Sequence, residues 1–200
     1  MIIVIVVIAL IVILALIVLV TYNGLVKLRN MCDEAWSTID VQLKRRHDLI
    51  PNLVETVKGY ATHETEAFEN VSKARAAAIS ARTPAEAAKT EGLLTQALGQ
   101  LFAIAEAYPQ LRAVESFTQL QAELTNTEDQ ISAARRVYNG NVQTYMTKCQ
   151  QFPGALLAGP FGFSPRAFFE LEDPTEREPV KVDFGSATPP PADPTPPTGA

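Results

Sequence analysis

The feature that most constrains this chain is an unbroken run of 19 apolar residues, Ile2 to Val20, of which 13 are Ile or Val. At about 1.5 Å per residue, a helix of this length spans nearly the ~30 Å hydrocarbon core of a bilayer. A helix satisfies its own backbone hydrogen bonds in lipid, whereas a lone strand does not, so the bilayer overrides the strand preference of Ile and Val. The run predicts a transmembrane helix over residues 1–21.

The residues around this run predict a retained, single-pass anchor and its orientation. A cleaved signal peptide would show a charged segment before its apolar stretch and small residues at a cleavage site after it, and the sequence shows neither. Lys27 and Arg29 follow the run closely, and no side-chain cation precedes it. The positive-inside rule therefore predicts an external N-terminus and a cytoplasmic C-terminal part.

Length and charge restrict what the remainder can be. A chain of 200 residues accommodates one domain with small appendages. The net charge of -5 offers no basic excess for phosphate groups, which argues against nucleic-acid binding. Two cysteines, Cys32 and Cys149, are too few for a disulfide scaffold or a zinc cluster.

Apolar residues at helical spacing predict four helical segments after the anchor. No proline occurs before Pro51, so the transmembrane helix is expected to continue as the first bundle helix to about His47. A second helix is expected to start within residues 48–51. A capping box begins the third at Thr83, and the fourth runs from Phe117 until Phe152-Pro153 closes it.

Four helices with short connections predict an all-α fold, in which the N-terminal transmembrane helix is continuous with an antiparallel, up-down-up-down four-helix bundle over residues 22–153. The fourth helix then returns beside the first, towards the membrane. Cys32 and Cys149 would share that end of the bundle. Two readings stay open, a close pair of thiols or, as we favour, two independent buried thiols.

A cluster of charges, formed by Lys44, Arg45, Arg46 and Asp48, falls at the predicted turn between the first two helices. Cations at the C-terminus of a helix interact favourably with its dipole, which is the structural interpretation that we prefer. The functional alternative is a docking face for a protein partner.

The segment after the bundle, residues 154–172, is rich in Phe, Gly and Pro. Four glycines and prolines in its first ten residues argue against a regular helix there. Its expected place beside the bilayer makes five aromatic residues candidates for contact with the membrane interface, with packing against the bundle as the alternative: Tyr22, Phe161, Phe163, Phe168 and Phe169. Residues 173–200 form a proline-rich tail that we expect to be disordered.

Several ordered strings resemble the LemA family over about residues 1 to 170. They include Ala35-Trp36-Ser37-x-Ile39-Asp40-Val41-Gln42-Leu43-Lys44-Arg45-Arg46-His47-Asp48-Leu49-Ile50-Pro51-Asn52-Leu53-Val54, Val57-Lys58-Gly59-Tyr60-Ala61-x-His63-Glu64, Ala134-Arg135-Arg136-x-Tyr138-Asn139 and Phe168-Phe169-Glu170. The resemblance implies a bacterial cell-membrane protein with an N-terminal anchor and an antiparallel helical bundle. It implies no enzymatic activity.

No catalytic, cofactor-binding or metal-binding residues are predicted. His47 and His63 lack the spacing of a metal motif, and no nucleophile, base and orienting group can be assembled from the sequence. We therefore expect no enzyme, cofactor or small-molecule substrate. The leading hypothesis is a membrane-anchored scaffold that binds a protein partner or itself. The alternative is a membrane-organising or membrane-remodelling protein that uses the Phe-rich segment at the bilayer interface.

Overall fold

Residues 1–170 of the chain are described by a computed structural model, and within them there are six α-helices and no strand. The helices are α1 (Ile2–Lys58), α2 (Thr65–Ser80), α3 (Pro84–Glu106), α4 (Pro109–Arg112), α5 (Glu115–Gln150) and α6 (Gly154–Ala158). The all-α class and the long N-terminal helix are confirmed. The predicted proline-rich tail, residues 173–200, and the last two residues of the Phe-rich segment lie outside the described part.

Helix α1 has 57 residues, so it is about 85 Å long. Its first 19 residues are exposed and make it the one described helix that is long and apolar enough to cross a membrane. The predicted continuity between this apolar stretch and the bundle is confirmed. The predicted end near His47 is wrong, because α1 continues through Pro51 to Lys58.

An internal proline normally interrupts a helix, since it cannot donate to the carbonyl four residues earlier. In α1 that acceptor is the carbonyl of His47, and the Nε of Arg75 on α2 donates to it at 2.7 Å. The partner that Pro51 cannot supply thus comes from a neighbouring helix. The second helix begins only at Thr65, after a turn that follows Gly59.

The capping box at the start of α3 is confirmed. Thr83 Oγ1 accepts from the backbone N–H of Glu86 at 3.2 Å, and Glu86 Oε2 accepts from the backbone N–H of Thr83 at 3.2 Å and of Arg82 at 2.9 Å. These bonds satisfy N–H groups that the first helical turn leaves free. Pairing with the two backbone N–H groups also lowers the pKa of the Glu86 carboxyl.

Helix α5 runs antiparallel to α1 along most of its length. Arg45 pairs with Glu123 near one end, and Asn141 Nδ2 donates to the carbonyl of Met31 at 3.0 Å nearer the apolar stretch. The α2–α3 hairpin covers this pair only over its distal half, meaning the half far from the apolar stretch. The distal half contains one buried hydrophobic core, to which α1, α2, α3 and α5 all contribute side chains. Its larger members include Ile50, Leu53, Val57, Phe68, Val71, Leu94, Leu98, Leu101, Phe117 and Leu124.

The C-terminal segment covers the other, membrane-proximal half of the α1–α5 pair. The hydroxyl of Tyr145 donates to the carbonyl of Ser164 at 3.0 Å, and that of Tyr138 donates to the carbonyl of Ala167 at 2.9 Å. Asn139 exchanges two hydrogen bonds with the backbone of Phe169. The expectation of no regular helix after the bundle is wrong at one point, because α6 forms one short turn before this extended run.

Candidate functional site

A buried ionic cluster joins α1 to α3 in the distal half of the bundle. Glu91 is only 1% exposed, and its Oε2 accepts from Arg46 Nη1 at 3.1 Å. Its Oε1 lies 2.6 Å from His47 Nε2. Arg46 Nη2 also donates to Thr95 Oγ1 at 2.8 Å, and Glu128 of α5 lies 3.4 Å from Arg46. One guanidinium thus contacts side chains from two other helices.

The geometry of this cluster follows from helix spacing. Glu91 and Thr95 lie one turn apart on α3, so they present their oxygens to the same neighbour. Charged groups in an interior must be paired, because taking them out of water is costly. Any slip of the α2–α3 hairpin along α1 would separate Glu91 from both of its partners. The cluster therefore specifies how the hairpin sits on α1.

The predicted docking residues do not form one surface. Lys44 and Asp48 are exposed, and Arg45 is exposed but paired with Glu123. Arg46, in contrast, is buried within the ionic cluster. The prediction of a shared turn is wrong for these four residues, because α1 is continuous where the turn was expected.

Sequence reasoning also missed the acceptor of the cluster. The sequence predicts only that His47 lies near the end of the first helix, and it predicts no role for Glu91. A usable signal was present, since Glu91 lies in register with the buried stripe of α3, four residues after Ala87 and three before Leu94. A carboxylate within an apolar stripe predicts a buried cationic partner.

Beside the cluster, a groove of about 500 Å³ lies between α3 and α5. Its apolar surface comes from Leu98, Phe102 and Leu124, and Arg46 reaches it from α1. The acidic side chains Glu128 and Asp129 lie along its α5 side, together with polar residues of both helices: Thr95, Gln121 and Thr125. This volume is within the range of sites that bind ligands or partner side chains.

A second cluster, of aromatic residues, lies where α1 leaves its apolar stretch. The ring of Tyr22 packs edge-on against Phe161 at 5.2 Å and Phe163 at 5.7 Å between centroids. The guanidinium of Arg29 lies over the Phe163 ring at 5.5 Å, within cation–π range. Phe163 is buried against the bundle, whereas Phe161 remains half exposed. The two neighbouring phenylalanines thus have different environments.

The remaining aromatic candidates lie further from the apolar stretch. Phe169 is fully buried, and Trp36 packs edge-on against it at 5.5 Å between centroids. Phe168 is partly buried in the same core. Of the phenylalanines predicted to contact the membrane interface, these two and Phe163 therefore pack on the bundle.

The two cysteines are free thiols at different levels of the α1–α5 pair. Cys32 is buried, and burial raises its pKa. Cys149 is half buried and contacts the hydroxyl of Tyr145. Burial and this contact raise the pKa of Tyr145 to about 12. Because Met31 lies beside Asn141 in the antiparallel pair, Cys149 lies about two and a half helical turns along the pair from Cys32.

The side chains of the ionic cluster form ion pairs and hydrogen bonds with one another, and those of the aromatic cluster pack against one another. Within residues 1–170, no three His, Cys, Asp or Glu side chains are grouped so as to hold a metal ion. Both oxygens of Glu91 are engaged by cluster partners, and Thr95 Oγ1 is engaged by Arg46. The arrangement is suited to holding helices together.

Comparison with known proteins identifies the family of this chain. The profile of the LemA family matches residues 35–184, three quarters of the chain, and so begins after the apolar run. Magnetosome protein MamQ 2 of Paramagnetospirillum magneticum is 26% identical over 188 residues, covering 81% of this chain and 69% of that protein. Magnetosome protein MamQ of Magnetospirillum gryphiswaldense is 25% identical over the same shares. Protein LemA of Metamycoplasma hominis is 26% identical over 138 residues, covering 64% of this chain and 62% of its own length. With its apolar N-terminal helix and its bacterial relatives, the chain is a membrane-associated helical protein that belongs to the LemA family.

Proposed function

We propose that this chain is a membrane-anchored interaction protein whose groove between α3 and α5 binds an amphipathic helix of a partner protein. The observation that carries the proposal is the composition of the groove, which combines an apolar surface with an acidic side. A helix packs into such a groove through apolar residues spaced three and four apart. Lys or Arg residues flanking that apolar face would match the acidic side.

The charges along the groove favour a basic partner segment. Arg46 is already paired with Glu91 and Glu128, so its charge is compensated within the bundle. Asp129 is exposed beside it, and no described ion pair involves this residue. A carboxylate at the edge of an apolar groove affects both the choice of partner and the rate of association.

The ionic cluster supports the proposal by fixing the geometry of the groove. Glu91 and Thr95 on α3 both bind Arg46, which also contacts Glu128 on α5. One side chain thus sets the spacing of the two groove walls. About 26 residues of α1 lie between Val20 and Arg46, which places the groove about 40 Å along the helix from the apolar stretch.

A photo-crosslinking amino acid at Gly99, on the groove, tests this proposal in native membranes. A Cβ at Gly99 meets nothing within 4 Å, so the bundle tolerates a side chain there. Gly140 on α5 is equally open and lies in the membrane-proximal half, which makes it a matched control. We expect a protein adduct at position 99 whose captured peptide is a basic amphipathic helix, and which is lost in Asp129→Lys.

Three outcomes would contradict the proposal. Equal capture at both glycine positions would indicate proximity without a specific site. No capture at Gly99 would remove the groove as the docking site. Adducts of the chain with itself alone would replace a partner protein by a second copy.

The alternative function, organisation of the membrane by the Phe-rich segment, has one observation in its favour. Phe161 is half exposed and contacts Tyr22, the second residue after the apolar run. Phe163 and Phe169 are buried against the bundle, so the segment is not free to insert as a whole. Truncation after Pro153 would abolish effects on vesicle shape if this function applies. It would leave adduct formation at Gly99 unchanged if the groove alone carries the function.

A further inference from the structure

The end of the bundle that adjoins the apolar stretch is closed by α5, α6 and the residues after them. Asn141 of α5 lies beside Met31 of α1, and the two helices are antiparallel. Counting nine residues forward along α5 and nine residues back along α1 therefore places Gln150 opposite Tyr22. Helix α5 therefore ends at the level where the apolar run of α1 ends. The α6 turn and Phe161, which contacts Tyr22, lie at the same level.

Three large apolar side chains are exposed at this level. Phe152 is 81% exposed, Leu156 67% and Phe161 50%. We call these three residues the collar. The same segment buries Phe163 and Phe169 almost completely, so the exposure of the collar is not a general property of the segment. Exposed aromatic and aliphatic groups grouped together are typical of an interaction surface.

The collar is attached firmly to the bundle. The backbone N–H of Ala155 donates to the carbonyl of Gln151 at 2.8 Å, and that of Phe163 donates to the carbonyl of Ala158 at 2.9 Å. Gly154 packs so closely that a Cβ there would meet the carbonyl oxygen of Lys148. Only glycine permits this approach between α6 and the end of α5.

Charge is distributed unevenly along the bundle, although the whole chain carries a net charge of -5. No Asp or Glu occurs in residues 21–32 or 130–169, whereas Asp33, Glu34 and Asp40 lie further along α1, away from the collar. The exposed cations Lys27 and Lys148 lie at the end that carries the collar. Asp33, the first carboxylate after the apolar run, is paired with Arg166 at 2.7 Å. The collar therefore lies in a cationic environment.

We propose that this end of the bundle is a binding surface for anionic phospholipid headgroups, which uses the collar for insertion and Lys27 and Lys148 for the phosphates. The bilayer is the occupant because the apolar stretch of α1 brings this surface to it without a break in the helix. Apolar side chains beside cations are the composition that binds the interface of anionic membranes. The proposal does not depend on the α3–α5 groove.

Quenching of tryptophan fluorescence by brominated lipid tests the insertion of the collar. The full chain carries Trp36→Phe to remove its single tryptophan, together with Phe161→Trp, and is reconstituted in vesicles of phosphatidylcholine with phosphatidylglycerol. Val137→Trp is the matched control, because Val137 is an equally exposed apolar residue of α5 about 20 Å further from the apolar stretch. We expect strong quenching at position 161 and little at position 137. Equal quenching at the two positions would overturn the proposal.

The recognition of anionic lipid is tested by placing the brominated acyl chains either on phosphatidylglycerol or on phosphatidylcholine. We expect brominated phosphatidylglycerol to quench position 161 more than brominated phosphatidylcholine does. This preference should fall by up to about fivefold for each cation removed in Lys27→Gln and Lys148→Gln. Lys58→Gln and Lys73→Gln, in the distal half, should leave it unchanged. A preference that survives Lys27→Gln with Lys148→Gln in a chain of unchanged helicity and Tm would contradict a role for these cations.

Discussion

Replacing Glu91 by Leu is the most direct test of the ionic cluster. The substitution leaves the guanidinium of Arg46, whose side chain is 6% exposed, without its buried partner. It also removes the contact of His47 Nε2 with Glu91 Oε1. Removing one member of a buried ion pair costs about 3 to 5 kcal/mol. Because Arg46 keeps Glu128 at 3.4 Å and Thr95 at 2.8 Å, we expect the lower end, about 3 kcal/mol.

In a domain of this size, such a loss lowers Tm by about 6 to 12 °C. Circular dichroism at increasing temperature, with the full chain in detergent micelles, measures it. A chain in which Arg46→Met, His47→Leu and Glu91→Leu are combined provides the decisive comparison. It replaces the three buried ionisable side chains by apolar groups and leaves Glu128, which is 42% exposed, to water. Its free energy of unfolding should lie within about 1 kcal/mol of that of the parent chain or above it.

The pair of Arg45 with Glu123 serves as the exposed control, with side chains 49% and 41% exposed. Water screens such a pair, so Glu123→Gln should cost less than about 1 kcal/mol. A loss of stability in Glu91→Leu as small as that in Glu123→Gln would contradict the stabilising role of the buried pair. A triple variant as destabilised as Glu91→Leu alone would contradict it as well.

Three further predictions follow from individual contacts. Arg75→Met should destabilise the bundle by about 1 to 3 kcal/mol, and by less when Pro51→Ala restores the helical hydrogen bond to the His47 carbonyl. A double-mutant cycle of urea unfolding would measure the difference, and equal losses with and without Pro51→Ala would exclude the His47 carbonyl as the acceptor that both groups share. The contribution of the Glu86 carboxylate should be present at neutral pH and lost as the pH falls through about 4.3 towards its lowered pKa, so Glu86→Gln and the parent chain should converge in Tm at acidic pH and not at neutral pH. In the native chain, maleimide should label Cys149 faster than Cys32, since Cys32 is buried with a raised pKa; equal rates for the two single-cysteine variants would contradict this.

Local signals predicted the parts of the fold that depend on neighbouring residues. The capping box at Thr83 and the closure of the last long helix near Pro153 each require only a few adjacent residues, and the structure has both. The continuation of α1 through Pro51 could not be predicted in this way. It depends on Arg75, which lies 28 residues after the acceptor it satisfies.

The same distinction explains the errors at the candidate site. The sequence predicts Arg46 at a turn because it predicts a new helix within residues 48–51, so the error in the helix boundary produced the error at Arg46. Phe161 and Phe163 lie at nearly the same distance from Tyr22 and have nearly the same local sequence, yet only Phe163 is buried against the bundle, with Arg29 over its ring. Tertiary packing decides such cases, and residue type alone does not.

Because α1 is continuous, a tilt of its apolar stretch in a bilayer would also move the bundle. About 37 residues of this helix extend beyond Thr21, which corresponds to roughly 55 Å. Membrane-spanning helices are tilted by about 20° on average, and one response to a change in bilayer thickness is a change in this tilt. A rigid rod of this length that tilts by about 10° moves its far end sideways by roughly 10 Å. The turn between α1 and α2, at residues 59–64, would therefore move with a change in the thickness of the bilayer.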